Sequence, residues 1–390
     1  MKVNPFYLLL VLYVSANLFS FIKGVGDAGL TLEGDFFYIN PSSLCVAFLI
    51  QCVTLFFFYI CYEALYKVSI KSAPIELNDK YGCSLLFLQI AFMVFNLKEG
   101  VNVAGVGATV EGGSILNYVF VILQPDLVFI IISTLLLSNK FFLLNVIVFF
   151  VSMFLRGWMG GVFVVFILLI ARFYPRKLST VNSLKLFFSL ILLIAVMPYI
   201  IYAKWAMRGE DGLLDFYLML PKVLDLIDYN TAIDYLLNRF QHVGHVAIIY
   251  EDSSRVFNFY QHGMFDSFWL DGLPQYIFMK LFGLDFYRLN SFMVEYFFGV
   301  SNPTWNTNPG LAGWFVFLQE KIISLFLYLI LCFVFPLYFI ARFGGGRLLL
   351  IFSCFTLLYL FHGWFGAYFN LMIYCVFIVF ILKSKYPNSK

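Results

Sequence analysis

The sequence predicts an all-α polytopic integral membrane protein, and three observations carry that prediction. Of 390 residues, 62% are hydrophobic and 12% are charged, whereas roughly a quarter of an ordinary soluble domain is charged. The mean hydropathy is +0.89. The apolar residues also fall in long runs, at 5–22, 43–66, 82–97, 114–137, 184–203, 322–341, 347–361 and 368–382, and about 20 such residues cross a bilayer as a helix. Lipid is therefore the main solvent. The net charge of +3 is small, and no basic tract points to nucleic acid. Cys45, Cys52, Cys61, Cys83, Cys332, Cys354 and Cys375 all lie in apolar segments without CxxC or Cys/His spacing. They read as core cysteines, not metal ligands or a disulfide framework.

The first run follows Lys2, and small residues come along it at Ser15 and Ala16, as in a signal peptide, but its length suits a retained anchor. The fourth run contains Pro125-Asp126. The proline predicts a kink, and the buried Asp126 calls for a partner inside the bundle, such as an arginine facing the same cavity.

A ninth run, 141–171, holds Arg156 in "FFVSMFLRGWMGGVFVVF". As one helix it would be about 46 Å long, too long even when tilted. Broken at Arg156-Gly157 it becomes a hairpin of two short arms, and loop charge decides for the hairpin. With it, one face collects Lys2, Lys67, Lys71, Lys80, Lys140, Arg172, Arg176, Lys177, Lys185, Arg342, Arg347, Lys383, Lys385 and Lys390. The short loops opposite carry little beyond Lys23 and Lys98. Cytoplasmic loops gather Lys and Arg, so about ten spans are expected, with both termini cytoplasmic. Arg156 then lies below the outer headgroups, facing protein or a water-filled cavity. An arginine at that depth needs compensation. It is either a structural or snorkelling residue or an anion ligand, and the sequence favours the anion.

Between spans seven and eight lies a large outer loop, giving divisions at 1–203, 204–313 and 314–390. A loop this long exceeds any connector. It holds His242, His245 and His262 and most of the acidic residues. It opens with Lys204 and Arg208 near the membrane surface. "PKVLDLIDYNTAIDYLLNRF" follows, with Leu226, Tyr229, Ile233, Leu236 and Phe240 spaced by three and four. That is an amphipathic helix, lying on the interface or packed within the loop, with Arg239 near its end. Arg288 stands eleven positions before Gly299, with Glu295 between them. "SNPTWNTNPGLAGWFVF" then resists regular helix until about Leu311 and offers Asn306, Thr307 and Asn308 to a cavity. The pattern predicts a segment that dips into the outer leaflet and returns, which is tolerated only where backbone is buried or lines a cavity. Trp205, Trp269, Trp305 and Trp314 lie in or beside this loop and read as sugar-stacking or interfacial residues.

Arg156, Lys204, Arg208, Arg239 and Arg288 are the outward cations, and arginine's planar fork suits phosphate oxygens. No DxD, HExxH, P-loop or GxSxG pattern occurs. Arginines stabilising charge on a departing pyrophosphate, with a base activating a sugar hydroxyl, is the chemistry that fits.

The order of about ten spans, the short "LRGW" hairpin, the late outer loop, the Arg288-to-Gly299 spacing and "NTNPGLAGWFVF" resembles the Wzy-type O-antigen and oligosaccharide repeat-unit polymerases, relatives in architecture of the O-antigen ligases. The resemblance implies a GT-C-like, metal-independent glycosyltransferase of lipopolysaccharide and polysaccharide biosynthesis, at the outer, periplasmic face of a bacterial inner membrane. It transfers the growing chain from undecaprenyl pyrophosphate to a new lipid-linked unit. No cofactor is expected. Undecaprenyl-pyrophosphate-linked oligosaccharides, membrane lipids and a chain-length regulator in the same membrane are the implied partners. By this analogy Arg156, Arg239 and Arg288 hold pyrophosphate, with Lys204, Arg208, Asn306, Thr307 and Asn308 binding substrate. The ligases carry a His-Asn pair where this chain reads Trp305-Asn306-Thr307-Asn308. Its base must then be another group, with His242, His245 and Glu295 the candidates. A ligase and a lipid-linked oligosaccharide flippase are the alternatives; the missing pair argues against the first and the lack of an internal repeat against the second.

Overall fold

The computed structural model describes residues 4–103, 115–158, 160–172, 180–206, 212–301 and 305–385. Helix runs through most of them. The order is α1 (Pro5–Gly26), β1 (Gly29–Leu32), β2 (Asp35–Tyr38), α2 (Pro41–Ser69), α3 (Asp79–Glu99), α4 (Ile115–Leu123), α5 (Pro125–Leu135), α6 (Asn139–Leu155), α7 (Gly161–Arg172) and α8 (Thr180–Ala206). It continues with α9 (Gly212–Met219), α10 (Val223–Leu226), α11 (Tyr229–Phe240), α12 (Val243–Glu251), α13 (Ser253–Gln261), α14 (Leu273–Leu281) and α15 (Leu289–Phe298). The last are α16 (Gly310–Phe317), α17 (Ile322–Tyr328), α18 (Phe335–Phe343), α19 (Gly346–Thr356) and α20 (Phe365–Lys385).

Among the described residues six helical stretches are long and apolar enough to cross a membrane: α1, α2, α3, α4 with α5, the stretch Gln319–Phe343, and α20. Shorter apolar helices are Asn139–Leu155, Gly161–Arg172, Ile194–Ala206 and Gly346–Phe361. The architecture is that of an all-α, multi-pass membrane protein.

The chain packs as two compact units, Met1–Pro5 with Glu76–Leu237, and Phe6–Ile75 with Asn238–Lys390. The loop expected at 204–313 is thus shared between them, because its first helices pack on α8.

In the first unit α3 and α6 run side by side. Gly82 makes this possible, since a Cβ there would lie 2.7 Å from Phe141 Cβ. Gln89 donates to Asn145 Oδ1 at 2.6 Å, and Asn145 donates to Gly82 O at 3.0 Å. Between lipid-bathed helices such side-chain bonds average about 0.6 kcal/mol and fix register. Asn78 caps α3 and Ser138 caps α6, the short polar side chains that such ends prefer. Pro125 does more than kink the fourth span. Gln124 takes φ +43° and separates α4 from α5. The chain turns between α6 and α7 at Arg156-Gly157.

The amphipathic stretch from Pro221 is two helices, because Asp228 accepts from Thr231 N at 2.7 Å and starts α11 afresh. Ile227 and Ala232 pack on Met197 and Ile201 of α8, while Leu226, Tyr229 and Ile233 stay exposed. Of the expected stripe, Leu236 packs on that cluster and Phe240 is buried, so the buried face is shifted from the expected one at its first half only.

The second unit includes a hairpin that the sequence reading did not expect. β1 and β2 pair antiparallel with Leu30 opposite Phe37. Its Leu32 sits on α12, where a Cβ at Gly244 would come within 2.5 Å of Leu32 Cδ2. α12 is buried from Val243 to Ile249, as an apolar helix enclosed on all sides must be. It packs between α2 and α16. Two helices here widen into π-turns, at Leu329–Val334 and Leu357–Phe361. The first precedes Pro336, which has no N–H to give to Cys332 O. Tyr368 Oη donates to that carbonyl at 2.9 Å instead. π-turns within helices recur at functional sites, and the second of these opens into the candidate site.

Candidate active site

Three non-helical segments of the second unit meet around His242: 241–242 ahead of α12, 305–309 ahead of α16, and 362–364 ahead of α20. Asn17 of α1 clamps the first. Its Nδ2 donates to Tyr13 O and Phe240 O, and its Oδ1 accepts His242 N at 3.0 Å. The second is held from α15, since Thr307 N donates to Asn290 O at 3.3 Å and Asn290 Nδ2 donates to Asn308 Oδ1. The third crosses the second backbone to backbone. Gly310 has φ +69°, and a Cβ there would lie 2.8 Å from Phe361 O. A Cβ at Gly363 would lie 3.1 Å from Gly310 Cα. Only glycine combines that left-handed conformation with so close an approach.

The His242 ring fills the crossing. Its Nδ1 lies 3.1 Å from Asn308 O. A carbonyl oxygen only accepts, so Nδ1 carries the proton and Nε2 keeps its lone pair. That Nε2 is buried without a hydrogen-bond partner, as are both ring nitrogens of His245 and Thr307 Oγ1. The ring stacks on Tyr13 at 6.4 Å, lies edge-on to Phe361 at 5.7 Å, and is 4.5 Å from the His362 ring. Burial lowers His242 to about 4, opposed by the bond to Asn308. Burial, then the charges of His242 and Arg239, lowers His245 to about 3. Both rings are neutral at physiological pH. Four unpaired polar atoms in one buried place are unusual, because native interiors satisfy most such groups.

Arg239 is exposed in the last turn of α11 and its charge reaches His245. Arg288 is the N-cap residue of α15 and pairs with Asp271 at 3.1 Å, half exposed. Gly299 ends the same helix at φ +68°, so the Arg288-to-Gly299 spacing is the length of one helix. Glu295 accepts from Tyr287 Oη at 2.5 Å and is exposed, about 140° around α15 from Asn290. It is not brought to His242. Asn306 is exposed, Thr307 buried and Asn308 between the two. His262 is exposed and bonds Asn258 O. Trp314 is 3% exposed within an aromatic core with Phe268 and Phe317, and Trp269 packs on Tyr328. Trp314 is thus not free to stack on a sugar, and Trp269 is half-buried.

Two expected site residues belong to the first unit. Arg156 is 4% exposed, with Nη2 at 3.0 Å from both carboxylate oxygens of Asp126 and Nε donating to Ser152 O. Its guanidinium lies 5.0 Å from the Phe92 ring centroid. The arginine sought as a partner for Asp126 is therefore Arg156, the structural role that the sequence reading set second to anion binding. Lys204 donates to Tyr235 Oη and lies over that ring. Arg208 is outside the described residues. Among the described residues no group of His, Cys, Asp or Glu is arranged to hold a metal ion.

His362, Tyr13, Asn17 and Asn290 escaped the sequence reading. The signal for His362 was available, since "FHGW" breaks two apolar runs on the same face as the large loop. Comparison with protein-family models, curated proteins and solved structures finds no match.

Proposed function

We propose that the chain is a glycosyltransferase that polymerises undecaprenyl-pyrophosphate-linked oligosaccharide repeat units at the outer face of a bacterial inner membrane. The observation that carries the reading is the buried, unpaired Nε2 of His242 beside the irregular segment 305–309. Irregular backbone within a membrane bundle persists where it lines a site. In this account a hydroxyl of the incoming unit attacks the anomeric carbon of the chain on its lipid carrier. His242 Nε2 takes the hydroxyl proton. The anomeric C–O bond breaks, and undecaprenyl pyrophosphate leaves with its electron pair.

Arg239 and Arg288 offer two forks for the developing phosphate charge. Thr307 and Asn308 hold the acceptor, and Asn306 meets it at the surface. Burial keeps His242 neutral, and His242 in turn disfavours a charge on His245 and His362. A base lowered to about 4 is weak by itself. A bound pyrophosphate, being negative, favours the charged imidazole and raises it, so His242 becomes effective only with substrate in place. Arg156 enters as the counter-charge of Asp126 rather than as a phosphate ligand. Ten spans with cytoplasmic termini complete the reading.

The test is polymer formation from lipid-linked repeat units by reconstituted protein. His242→Gln keeps a hydrogen-bond donor for Asn308 O but has no basic nitrogen, and should fold normally while losing polymerisation by 100-fold or more, on the order of a general base's contribution. Retained activity in that variant would remove His242 from the mechanism.

A further inference from the structure

The segment between Asp271 and Leu284 has no place in the proposed chemistry, yet its composition is odd for a loop helix. α14 buries only Met279, while Tyr276, Ile277, Phe278 and Leu281 are exposed, Leu281 by 79%. Phe282 and Leu284 follow, exposed by 65% and 53%. A water-facing helix would carry polar side chains here, and contiguous exposed apolar surface marks a site of contact.

The other end of α14 says what covers it. Gly272 lies against Phe369, with a Cβ there 2.7 Å from Phe369 Cδ1, and Leu273 N donates to Asn370 Oδ1 at 2.7 Å. Both partners belong to the span Phe365–Ser384, whose 20 residues reach about 30 Å, the thickness of the hydrocarbon layer. Asn370 is five residues into it, roughly 8 Å from its nearer end. α14 therefore starts at a depth where water does not satisfy backbone donors. Its first turn is built for that. Leu273 N has Asn370, Pro274 has no N–H, and Tyr276 N donates to Gly272 O at 2.9 Å. Of the four positions whose donors a helix N-terminus exposes, Leu273 is thereby satisfied and Pro274 has no donor to satisfy, both without solvent, and Tyr276 N begins the regular helical bonding. The exposed face of α20, with Phe377 and Phe380, is continuous with this anchorage.

We infer that α14 is embedded in the bilayer leaflet at the Phe365 end of α20, its Tyr276–Phe278–Leu281–Phe282 surface docked against lipid acyl chains. Lys280, whose ammonium lies 5.8 Å from the Tyr276 ring centroid, reaches from that position to the headgroups.

The full-length protein in phosphatidylethanolamine/phosphatidylglycerol vesicles carries a benzophenone amino acid at Phe278 or Leu281. Phe377 on α20 serves as the lipid-facing reference and Tyr38 on β2 as the exposed reference. After irradiation, mass spectrometry should find acyl-chain adducts at Phe278 and Leu281 within about twofold of the yield at Phe377, and at least tenfold above Tyr38. Yields at the level of Tyr38 while Phe377 labels normally would overturn the inference, as would covalent dimers through Phe278 in place of lipid adducts. An unfolding temperature and a vesicle-bound fraction equal to those of the wild type show that each variant is folded and inserted.

Discussion

Arg156 Nη2 stands 3.0 Å from both carboxylate oxygens of Asp126, across 30 positions of sequence. The guanidinium is buried, so the pair is neutral overall and each charge depends on the other. Removing one partner of a fully buried pair costs about 3–5 kcal/mol, and with the Asp126 side chain 31% exposed the loss here should be smaller. Arg156→Ala should lower the unfolding temperature in detergent, and Asp126→Asn should restore part of the loss by removing the orphaned carboxylate. An Arg156→Ala variant as stable as wild type, yet inactive, would return Arg156 to the pyrophosphate site.

The pair also shows what was legible in the sequence. An arginine in the turn of a short apolar hairpin demanded compensation, and Asp126 demanded a partner. The sequence offered their pairing as the alternative to anion binding, but nothing in one sequence decides between the two, because the residues lie 30 apart on separate helices. Spans were readable because lipid imposes length and hydropathy on them. The hairpin β1–β2 was not sought, although Leu30 and Leu32 alternate with polar positions, because eight residues contribute little beside 20-residue runs. In the site, His242, Thr307 and Asn308 stood out as polar residues near prolines and glycines. Asn17 did not, because it lies within an apolar run, where a single polar residue carries little signal; His362, in the short break between two runs, went unread beside the much longer loop.

His242 and His245 also predict how stability varies with pH. Both are lowered from 6.5, to about 4 and about 3, so the unfolded chain binds more protons than the folded one as pH falls below 6.5. Their stabilising contribution is complete above 6.5 and declines as pH drops from there towards 4, at up to about 1 kcal/mol per pH unit for each ring. His245→Leu should flatten the fall in unfolding temperature between pH 6.5 and 5. An unchanged slope would mean that His245 is protonated or solvated in the folded protein.

Gly310 and Gly263 share a left-handed backbone, at φ +69° and +71°, and separate two effects. Nothing lies within 4 Å of a Cβ built on Gly263, whereas at Gly310 Phe361 O lies at 2.8 Å. Gly263→Ala should lose only conformational energy, about 1 kcal/mol. Gly310→Ala must also push apart segments 305–310 and 361–364, so it should lose several times more and reduce polymer length. Equal losses in thermal denaturation would show that the crossing is loose.

Gly299 and Arg288 cap the same helix and should behave differently. Gly299→Ala places a side chain at φ +68° and should reduce stability by about 1 kcal/mol with little change in catalytic rate. Arg288→Lys leaves the helix intact but cannot present a fork. It should reduce turnover at least tenfold at unchanged stability. Full turnover in the lysine variant would exclude a bidentate phosphate contact.

The most direct test of the account is the pH dependence of polymerisation by reconstituted protein supplied with purified lipid-linked repeat units. If His242 is the base and bound pyrophosphate raises it, kcat should fall on acidification with an apparent pKa at least one unit above that of kcat/KM. Wild type should build a ladder of products, and His242→Gln should build none while unfolding at the wild-type temperature. A ladder of normal length from His242→Gln, with the same acid limb as wild type, would contradict the account.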